Sequence, residues 1–373
     1  MKICTITCHD VYNHGASLQA YGLMRYLINL GYEVEIIDYK PDYLSRHYKL
    51  FAISSPKWEK NLFTKLLYLG AKVPGRVVSL KRKRAFDAFK AKHLALTPAR
   101  YNTNDELKRN PPEADIYLCG SDQIWNTLHR NGSDPAFYLD FVPEGKVRAA
   151  YAASFATESI HDRYKPFVKE KVSKLDGIGV REKSGVAILH QMQIHQAVNV
   201  VDPAFLLDDS EWNRLGTASI PGDYVLVYDF DDSSLIRRIA ESLAKRWSCK
   251  IYAVNGGKSK YANKYFQYEG PETFVSLVRD AKFVISNSFH AAVFSIIYEK
   301  NFAIVNRTEA INTRMRDLLD DLGLLDRLVG EYVGIDELCR DIEYRKVKTI
   351  LNRKIQESKG YLNTILGNRR KSS

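Results

Sequence analysis

A strand, a helix and a second strand follow one another at the start of the chain, and this order constrains the fold more than any other feature. Residues 2–8 alternate well enough for a strand, and EVEIIDY at 33–39 gives a second strand pattern. Between them apolar residues recur at helical spacing, at Ala16, Ala20, Leu23, Leu27 and Leu30. Such a β–α–β unit builds a parallel sheet with a right-handed crossover.

The same alternation recurs in two series separated by a polar, turn-rich segment at 208–223, which we interpret as a hinge. Strand patterns of the first series lie at 116–121, 148–156, 177–182 and 198–207. The second series has strand patterns at 224–230 and 250–257 and helical patterns at 233–247 and 271–280. Residues 43–112 are helical, basic and irregular, and we expect them to form helices and loops outside the sheet.

The pattern therefore predicts an α/β fold with two Rossmann-like, doubly wound domains that face each other across a cleft. We expect an N-terminal domain at 1–212, with a helical basic insertion at about 43–112, and a C-terminal domain at 213–335. Residues 336–373 are expected to form one or two amphipathic helices that pack back on the N-terminal domain. The length of 373 residues supports two domains, because it exceeds what one hydrophobic core usually serves.

Composition excludes several classes of protein. The five cysteines are odd in number and scattered, which is typical of a reducing compartment, and no spacing indicates a metal site. The start of the chain lacks the pattern of a signal peptide, and no apolar run is long enough to span a bilayer, so we expect a cytoplasmic protein. The net charge of +11 is concentrated partly at 81–93 and in the tail, but no nucleic-acid-binding module accompanies it.

Polar residues follow the predicted strands of the first domain. Asn13, His14 and Gly15 precede the first helix, whose free N–H groups can bind an anion or simply be capped by a turn. GSDQIWN, at 120–126, begins at the end of the strand pattern 116–121, and a plain turn rarely contains this combination. Its aspartate can accept hydrogen bonds from sugar hydroxyls, and its tryptophan offers a flat apolar face to a pyranose ring. The residues of this motif are Gly120, Ser121, Asp122, Gln123, Trp125 and Asn126.

A histidine, His290, lies where a strand of the second domain meets a helix, after Ser286, Asn287 and Ser288. A neutral imidazole can both take and give a proton near physiological pH. The alternative is a helix cap with an incidental histidine. Cationic and polar residues at other strand ends favour the first interpretation, because they suit a carboxylate or a phosphate. These residues are Arg181, Arg307, Asn312, Arg314 and Arg316.

Several of these segments together resemble the polysaccharide pyruvyl transferases. They are NHGASLQAYGL, GSDQIWN, VREKSG, VDPAFLL followed by a tryptophan, and ISNSFHAAVFSIIYEKNFAIV. They occur in the expected order between residue 2 and about residue 327, so the resemblance covers nearly the whole chain. GSDQIWN and the SNSFH joint are its most specific parts.

The resemblance implies two domains arranged like those of GT-B glycosyltransferases, with the acceptor on the N-terminal domain and the donor on the C-terminal domain. It implies transfer of pyruvate from phosphoenolpyruvate to two hydroxyls of a sugar, as a ketal, with no cofactor and no metal. His290 corresponds to the proposed acid and base, and Arg181 to an arginine that holds the donor. Some members carry a basic triplet where this chain has Ser288, Phe289 and His290, so Arg314 or Arg307 is expected to supply the missing charge.

The expected binding residues form two groups. The donor-side group is Arg181, Ser286, Asn287, Ser288, Asn312 and Arg314. The acceptor-side group is Asn13, His14, Gly15, Gln19, Gly120, Ser121, Asp122, Gln123, Trp125 and Asn126. The acceptor is expected to be a surface polysaccharide or its lipid-linked oligosaccharide precursor, with peripheral contact between the basic segment and the inner face of an anionic membrane. A nucleotide-sugar glycosyltransferase and a non-catalytic binding protein of polysaccharide biosynthesis are the alternatives.

Overall fold

The computed structural model describes residues 1–45, 80–255, 260–308, 311–330 and 334–367. These residues form two parallel sheets flanked by helices, in agreement with the predicted fold class. The carboxyl edges of the two sheets face each other, because loops that follow strands of the first sheet contact the helix that follows a central strand of the second. Ligands of doubly wound domains bind at the carboxyl ends of the strands, so this cleft is the expected position of a ligand-binding site.

The first sheet has seven strands in the order β3-β2-β1-β4-β5-β6-β7, and all its pairings are parallel. The strands are β1 (Lys2–Ile6), β2 (Glu33–Tyr39), β3 (Leu96–Tyr101), β4 (Ile116–Cys119), β5 (Val147–Ala153), β6 (Gly177–Val180) and β7 (Val198–Asn199). The helices are α1 (His14–Asn29), α2 (Asp42–Ser45), α3 (80–93), α4 (Asn104–Arg109), α5 (Lys165–Val172), α6 (Lys183–Gln191) and α7 (Asp209–Leu215). Short 3-10 turns lie at Arg130–Ser133, Pro135–Tyr138, Asp162–Tyr164 and Pro203–Leu206.

The second sheet has six strands in the order β10-β9-β8-β11-β12-β13, again all parallel. The strands are β8 (Tyr224–Tyr228), β9 (Lys250–Ala253), β10 (Lys264–Tyr265), β11 (Phe283–Ser286), β12 (Phe302–Val305) and β13 (Leu328–Val329). The helices are α8 (Ser234–Trp247), α9 (Pro271–Asp280), α10 (Phe289–Ile297), α11 (Thr313–Asp321), α12 (Ile335–Leu338) and α13 (Tyr344–Gly367), with a 3-10 turn at Leu325–Arg327. In both sheets the strand order reverses beside the first strand of the domain, where ligands of this fold class bind.

One part of the predicted insertion is wrong. Residues 96–101 do not lie outside the sheet but form its edge strand β3, which pairs with β2 through Leu96 and Ile36. The sequence LTPARY does not predict a strand, because it is polar and contains Pro98. Proline has no backbone N–H to donate, so it is tolerated only where no neighbouring strand needs that hydrogen bond. Residues 46–79, the rest of the basic segment before α3, lie outside the described residues.

A single apolar core joins the two domains near the cleft. Trp212 of α7 is fully buried and packs against Tyr21 of α1, with ring centroids 5.7 Å apart, and edge-on against Phe294 of α10, at 4.8 Å. The predicted hinge therefore begins with a helix that is anchored to both domains, and the chain crosses to β8 after that helix ends at Leu215.

The last helix, α13, also contacts both domains. Near its start, the hydroxyl of Tyr344 donates to the carbonyl oxygen of Lys300, at 2.6 Å, in the second domain. Further along, the hydroxyl of Tyr361 donates to the carbonyl oxygen of Ala150 in β5, at 2.7 Å. None of the helices within the described ranges is long and apolar enough to cross a membrane.

Candidate functional site

His290 lies in the first turn of α10, at the carboxyl end of β11. The hydroxyl oxygen of Ser288 accepts from the backbone N–H of Ala291, at 3.4 Å, so Ser288 caps the helix. The histidine is therefore not the cap, and its side chain is free to point across the cleft. That side chain is only 6% exposed.

Gly15, at the start of α1, packs directly on the His290 ring. A β-carbon at this position would lie 2.0 Å from Nδ1 and 2.3 Å from Cγ of His290, far inside contact distance. The N-terminal end of α1 can therefore approach the histidine only because residue 15 has no side chain. This contact places the two domains against each other at the imidazole.

Asp202 faces His290 from the first domain, just after β7. Its Oδ2 lies 3.5 Å from His290 Nε2 and accepts a hydrogen bond from Arg181 Nη1, at 2.9 Å. The hydroxyl of Ser121 donates to the same oxygen, at 3.2 Å. Burial opposes ionisation of Asp202, but the nearby His290 and the charge and hydrogen bond of Arg181 hold its pKa below the usual range. The carboxyl is therefore an anion that neutralises nearby cations.

Arg181 is held by a second carboxylate as well. Its Nε donates to Oε1 of Glu182, at 3.1 Å, and that oxygen also accepts from the hydroxyl of Ser154. Burial raises the pKa of Glu182 even though the positive charge of Arg181 opposes the shift. The guanidinium is thus fixed in direction by groups at the ends of three neighbouring strands, β5, β6 and β7.

Phe289 lies between two arginines. The guanidinium carbon of Arg181 is 4.3 Å from the centroid of its ring, and that of Arg314, in α11, is 5.8 Å away. Cations at such distances over a ring are stabilised by its negative face. Burial, and then the like charge of Arg181, lower the pKa of Arg314 to about 10, so it remains a cation at neutral pH. Its nearest carboxylate oxygen, of Asp122, is 3.9 Å from Nη1.

Several polar atoms of this cluster are buried without a hydrogen-bond partner among the described residues. They include the donors Nη2 of Arg181 and Nε of Arg314, Nε2 of His290, and one acceptor, Oε2 of Glu182. Buried donors of this kind are costly unless a ligand or water satisfies them. The excess of donors, two of them on cations, fits an anion.

Two empty spaces adjoin the cluster. A void of about 30 Å³ is lined by Arg181, Asp202, Phe289 and Arg314, and it has room for water but not for a substrate. A larger cavity of about 480 Å³ lies between the domains. It is lined by Thr313, the residue before Arg314. Two hydroxyls along this cavity, of Thr157 and Thr313, are buried and have no partner among the described residues.

Some of the expected binding residues have internal partners instead. The side chain of Asn13 accepts from the N–H of Ala16 and caps α1, and Asn287 holds the loop after β8 by accepting from the N–H of Phe230, at 3.0 Å. The hydroxyl of Ser286 donates to the carbonyl oxygen of Tyr228. These side chains shape the loops of the cleft and do not point free groups into it.

The GSDQIWN motif divides between the cleft and the core. Ser121 and Asp122 reach the cluster, whereas Trp125 is fully buried and stacks on Tyr138 in the first domain, with ring centroids 5.3 Å apart. The prediction that a sugar ring stacks on Trp125 is wrong, because the indole ring of Trp125 faces the core. Four further residues of the expected acceptor group make contacts within the first domain. The N–H of Gly120 donates to the carbonyl oxygen of Ile6, and Asn126 donates to the side chain of Gln123 in the turn. The side chain of Gln19 donates to the hydroxyl of Thr7.

His14 lies in an aromatic cluster between the domains. Its ring stacks on Phe274 of α9, with centroids 5.0 Å apart, and packs against Phe86 of α3 at 4.9 Å. The residue is fully buried, and burial, with the charge of Arg82, holds its pKa well below the ordinary histidine value. His14 therefore forms a contact between the domains and is not exposed to an acceptor.

The remaining donor-side residues lie around the interdomain cavity. Asn312 lines it and accepts from the N–H of Arg307, at 2.8 Å, while Arg307 pairs with Asp231. Arg316 forms an exposed ion pair with Glu158 across the cleft. Of the two arginines expected to replace the missing basic residue, Arg314 is the one that lies beside Phe289 together with Arg181.

Two acidic residues of the site were missed at the sequence level. Asp202 belongs to VDPAFLL, in which the apolar residues dominate the pattern, and Glu182 follows Arg181 as an ordinary ion-pair partner would. Both residues could have been predicted from their positions, because each of them follows a strand of the parallel sheet. Within the described ranges, no three His, Cys, Asp or Glu side chains are grouped in a way that could hold a metal ion.

One similar solved structure supports the fold, and a second is reported for comparison. UGT89C1 of Arabidopsis thaliana, complexed with UDP-L-rhamnose, is 11% identical and covers 98% of each chain with a TM-score of 0.52. UDP-GlcNAc 2-epimerase of Methanocaldococcus jannaschii, in complex with UDP-GlcNAc and UDP, is 12% identical over 94% of this chain and 93% of that one, with a TM-score of 0.49. The first likeness shows the two-domain GT-B-like fold and nothing about the reaction.

Sequence comparison identifies the family. No curated protein matches the chain. The model of the family described as polysaccharide pyruvyl transferase matches residues 13–309, from the cap of α1 to the loop after β12. This range includes Arg181, Asp202 and His290. The chain therefore belongs to the polysaccharide pyruvyl transferase family.

Proposed function

We propose that this transferase moves pyruvate from phosphoenolpyruvate to two hydroxyls of one sugar of a surface polysaccharide or its precursor, and so forms a pyruvate ketal. The observation that carries the proposal is the buried cluster at the domain interface, in which unpartnered donors of Arg181 and Arg314 lie in one cluster with a histidine. Phosphoenolpyruvate brings a carboxylate and a phosphate, and so satisfies donors of this kind.

His290 moves the proton in this scheme. Ketal formation requires a proton on the methylene carbon of the enol, addition of one sugar hydroxyl to the neighbouring carbon, loss of phosphate and addition of the second hydroxyl. The imidazole donates the first proton and then accepts one from the first attacking hydroxyl, while the proton of the second hydroxyl leaves with the departing phosphate. Asp202, an anion 3.5 Å from Nε2, stabilises the protonated imidazole before the first of these transfers and after the second.

The arginines hold the charged ends of the donor. Arg181 is fixed by Asp202 and Glu182, so its unpartnered Nη2 has a set direction. Arg314 is a buried cation whose carboxylate neighbour, Asp122, lies 3.9 Å from its Nη1, and it is stabilised further when phosphate charge develops beside it. The hydroxyl of Thr313, buried and unpartnered next to Arg314, gives a further donor on the side of the interdomain cavity.

Substrate access requires the domains to separate. The void beside Arg181 and Phe289 is too small for phosphoenolpyruvate, while the cavity of about 480 Å³ at Thr313 is large enough. We infer that the donor first enters the larger cavity and reaches the buried cluster when the domains separate. Closure then brings Gly15 onto His290 and excludes water from the reacting atoms.

The acceptor is proposed to be lipid-linked, with the protein held peripherally on an anionic membrane. Lys81 and Arg84 of α3 are exposed and can face such a surface. Arg82 has another role, because it donates to the carbonyl oxygens of Tyr12 and Gln267 and so joins the domains. The test is binding to anionic vesicles after Lys81→Ala and Arg84→Ala together; unchanged binding would refute membrane contact.

A nucleotide-sugar glycosyltransferase is the rival function, because the fold is shared with UGT89C1. Thermal unfolding with phosphoenolpyruvate and with UDP-sugars separates the two. We expect phosphoenolpyruvate to raise the unfolding temperature, since it satisfies the buried donors. A shift with UDP-sugars alone would establish the rival.

His290→Ala tests catalysis. Phosphate release from phosphoenolpyruvate, measured with a lipid extract of the source cells as acceptor, is expected to fall by about 10²–10⁴-fold. The exposed His161→Ala variant is the control and should keep full activity. Unchanged turnover in His290→Ala, with the fold intact, would remove His290 from the mechanism.

A further inference from the structure

A second large cavity lies wholly in the first domain, where β1, β2 and β3 end and α3 crosses above them. Its volume is about 600 Å³, and it is lined mainly by charged side chains. They are Asp10, Asp38, Asp87, Lys40, Lys83, Lys90 and Arg100, of which Arg100 pairs with Asp38. The residues expected from sequence to bind the acceptor do not line it.

The charges of this cavity alternate along a connected network. Lys40 lies 3.2 Å from Asp38 and 3.3 Å from Asp10, and Lys90 contacts both Asp10 and Asp87. Lys83 completes the series by pairing with Asp87. Each lysine already has a carboxylate partner, so the cavity does not offer the unpaired cations that a phosphate or nucleotide requires.

Alternating carboxylates and ammonium groups suit a ligand that both donates and accepts hydrogen bonds at many points. Sugar hydroxyls do both, since each has one proton and two lone pairs. The ring of Tyr12 lies on the wall of the cavity and adds an apolar face beside these polar groups. The chemistry of the lining therefore fits a saccharide better than an apolar ligand or a second anion.

The cavity is also close to the proposed reaction centre along the chain. Tyr12 lines it, and Gly15, three residues later, touches the imidazole of His290. Three residues span roughly 11 Å at most, a distance comparable with a pair of sugar rings. A glycan whose modified sugar lies at His290 is therefore long enough to reach the cavity in the proposed open form.

We propose that this cavity is a subsite for the acceptor glycan, which binds the sugars next to the one that receives pyruvate. The inference rests on the proposed function for its place in the reaction, but binding of saccharide there is measured without turnover. It makes the acceptor an oligosaccharide, because a single sugar at His290 leaves the cavity empty.

The test is the double substitution Lys83→Ala with Asp87→Ala, which removes an i,i+4 ion pair without changing the net charge of the cavity and leaves Lys90 paired with Asp10. The matched control is Glu170→Ala with Lys174→Ala, an i,i+4 pair between α5 and the turn that follows it, which does not line the cavity. Binding is measured on an array of defined mono- to tetrasaccharides, neutral and acidic. Unfolding temperatures with and without phosphoenolpyruvate are recorded for each protein.

We expect the wild type and the control to bind the same oligosaccharides, with no binding of monosaccharides, and the cavity variant to lose at least about tenfold in affinity. The shift with phosphoenolpyruvate should be the same in all three proteins. Absence of glycan binding, or full affinity in the cavity variant, would overturn the subsite. If glycan binding depends on the cavity but phosphoenolpyruvate gives no shift, the subsite stands and the proposed donor is wrong.

Discussion

Gly15 and His290 touch across the domain interface so closely that a β-carbon on the glycine would overlap the imidazole. The glycine belongs to the first helix of the first domain, and the histidine to a helix of the second. The position of the proposed proton carrier is therefore set by both domains. In the proposed open form this contact is broken, and the imidazole is less restrained.

Gly15→Ala tests this relationship. The added methyl group must displace His290 or hold the domains apart, so phosphate release from phosphoenolpyruvate should fall at least about tenfold, with a stability loss of about 1–3 kcal/mol. Gly360→Ala is the control, because no atom lies within 4 Å of a β-carbon there and the site is in the middle of α13. We expect the control to be as stable as wild type or slightly more so. Full activity in Gly15→Ala would show that closure does not order His290.

Phe289→Arg should make the protein dependent on an anion. A third guanidinium beside Arg181 and Arg314 leaves positive charge uncompensated in a buried site, which costs about 3–5 kcal/mol. Phosphate or phosphoenolpyruvate should restore much of this loss, so the ligand-induced rise in unfolding temperature should exceed that of wild type. Phe289→Leu, which removes only the ring, serves as the comparison. An equal rise in the arginine variant and in wild type would mean that the anion does not bind here.

Thr313→Val separates binding from folding. The hydroxyl is buried and has no partner among the described residues, so replacing it with a methyl group should leave the free energy of unfolding unchanged or raise it slightly. If the hydroxyl contacts the donor, affinity for phosphoenolpyruvate should fall several-fold, by about 1 kcal/mol. Calorimetric titration measures this, with denaturant unfolding in parallel. Wild-type affinity in the variant would move the donor away from the interdomain cavity.

His14 should make the domain interface sensitive to acid. Its pKa is lowered in the folded protein, so the unfolded chain takes up a proton first, and stability is lost as the pH falls below about 6.5. The loss is at most about 1.4 kcal/mol per pH unit for one group. Denaturant unfolding at about pH 7.5 and pH 5.5 should show a smaller difference for His14→Leu than for wild type or for the exposed His129→Gln. Equal differences in all three would assign the acid sensitivity to other groups.

Most of the fold was predictable because its strands are short apolar runs that end in polar residues. Strand β2 coincides with EVEIIDY, and α9 with the pattern at 271–280. Strand β3 escaped prediction because an edge strand needs neither a continuous apolar run nor all of its N–H groups. The strand predicted at 198–207 is limited to Val198–Asn199 because Asp202 and Pro203 start a 3-10 turn.

The site was predictable in position but not in detail. Parallel strands bring their carboxyl ends together, so the grouping of Arg181, Arg314 and His290 follows from the topology. The direction of a side chain in a loop does not follow from it. Trp125 therefore faces the core, and Asp202, hidden in an apolar motif, became visible only through its contacts with Arg181 and His290.

The course of α13 limits how the cleft can open. This helix has 24 residues, about 36 Å in length, and is bonded to the second domain through Tyr344 and to the first through Tyr361. A rigid rod fixed at both ends prevents the domains from moving straight apart. The expected motion is a hinge rotation about an axis close to α13. Such a rotation opens the cleft most widely on the side farthest from α13.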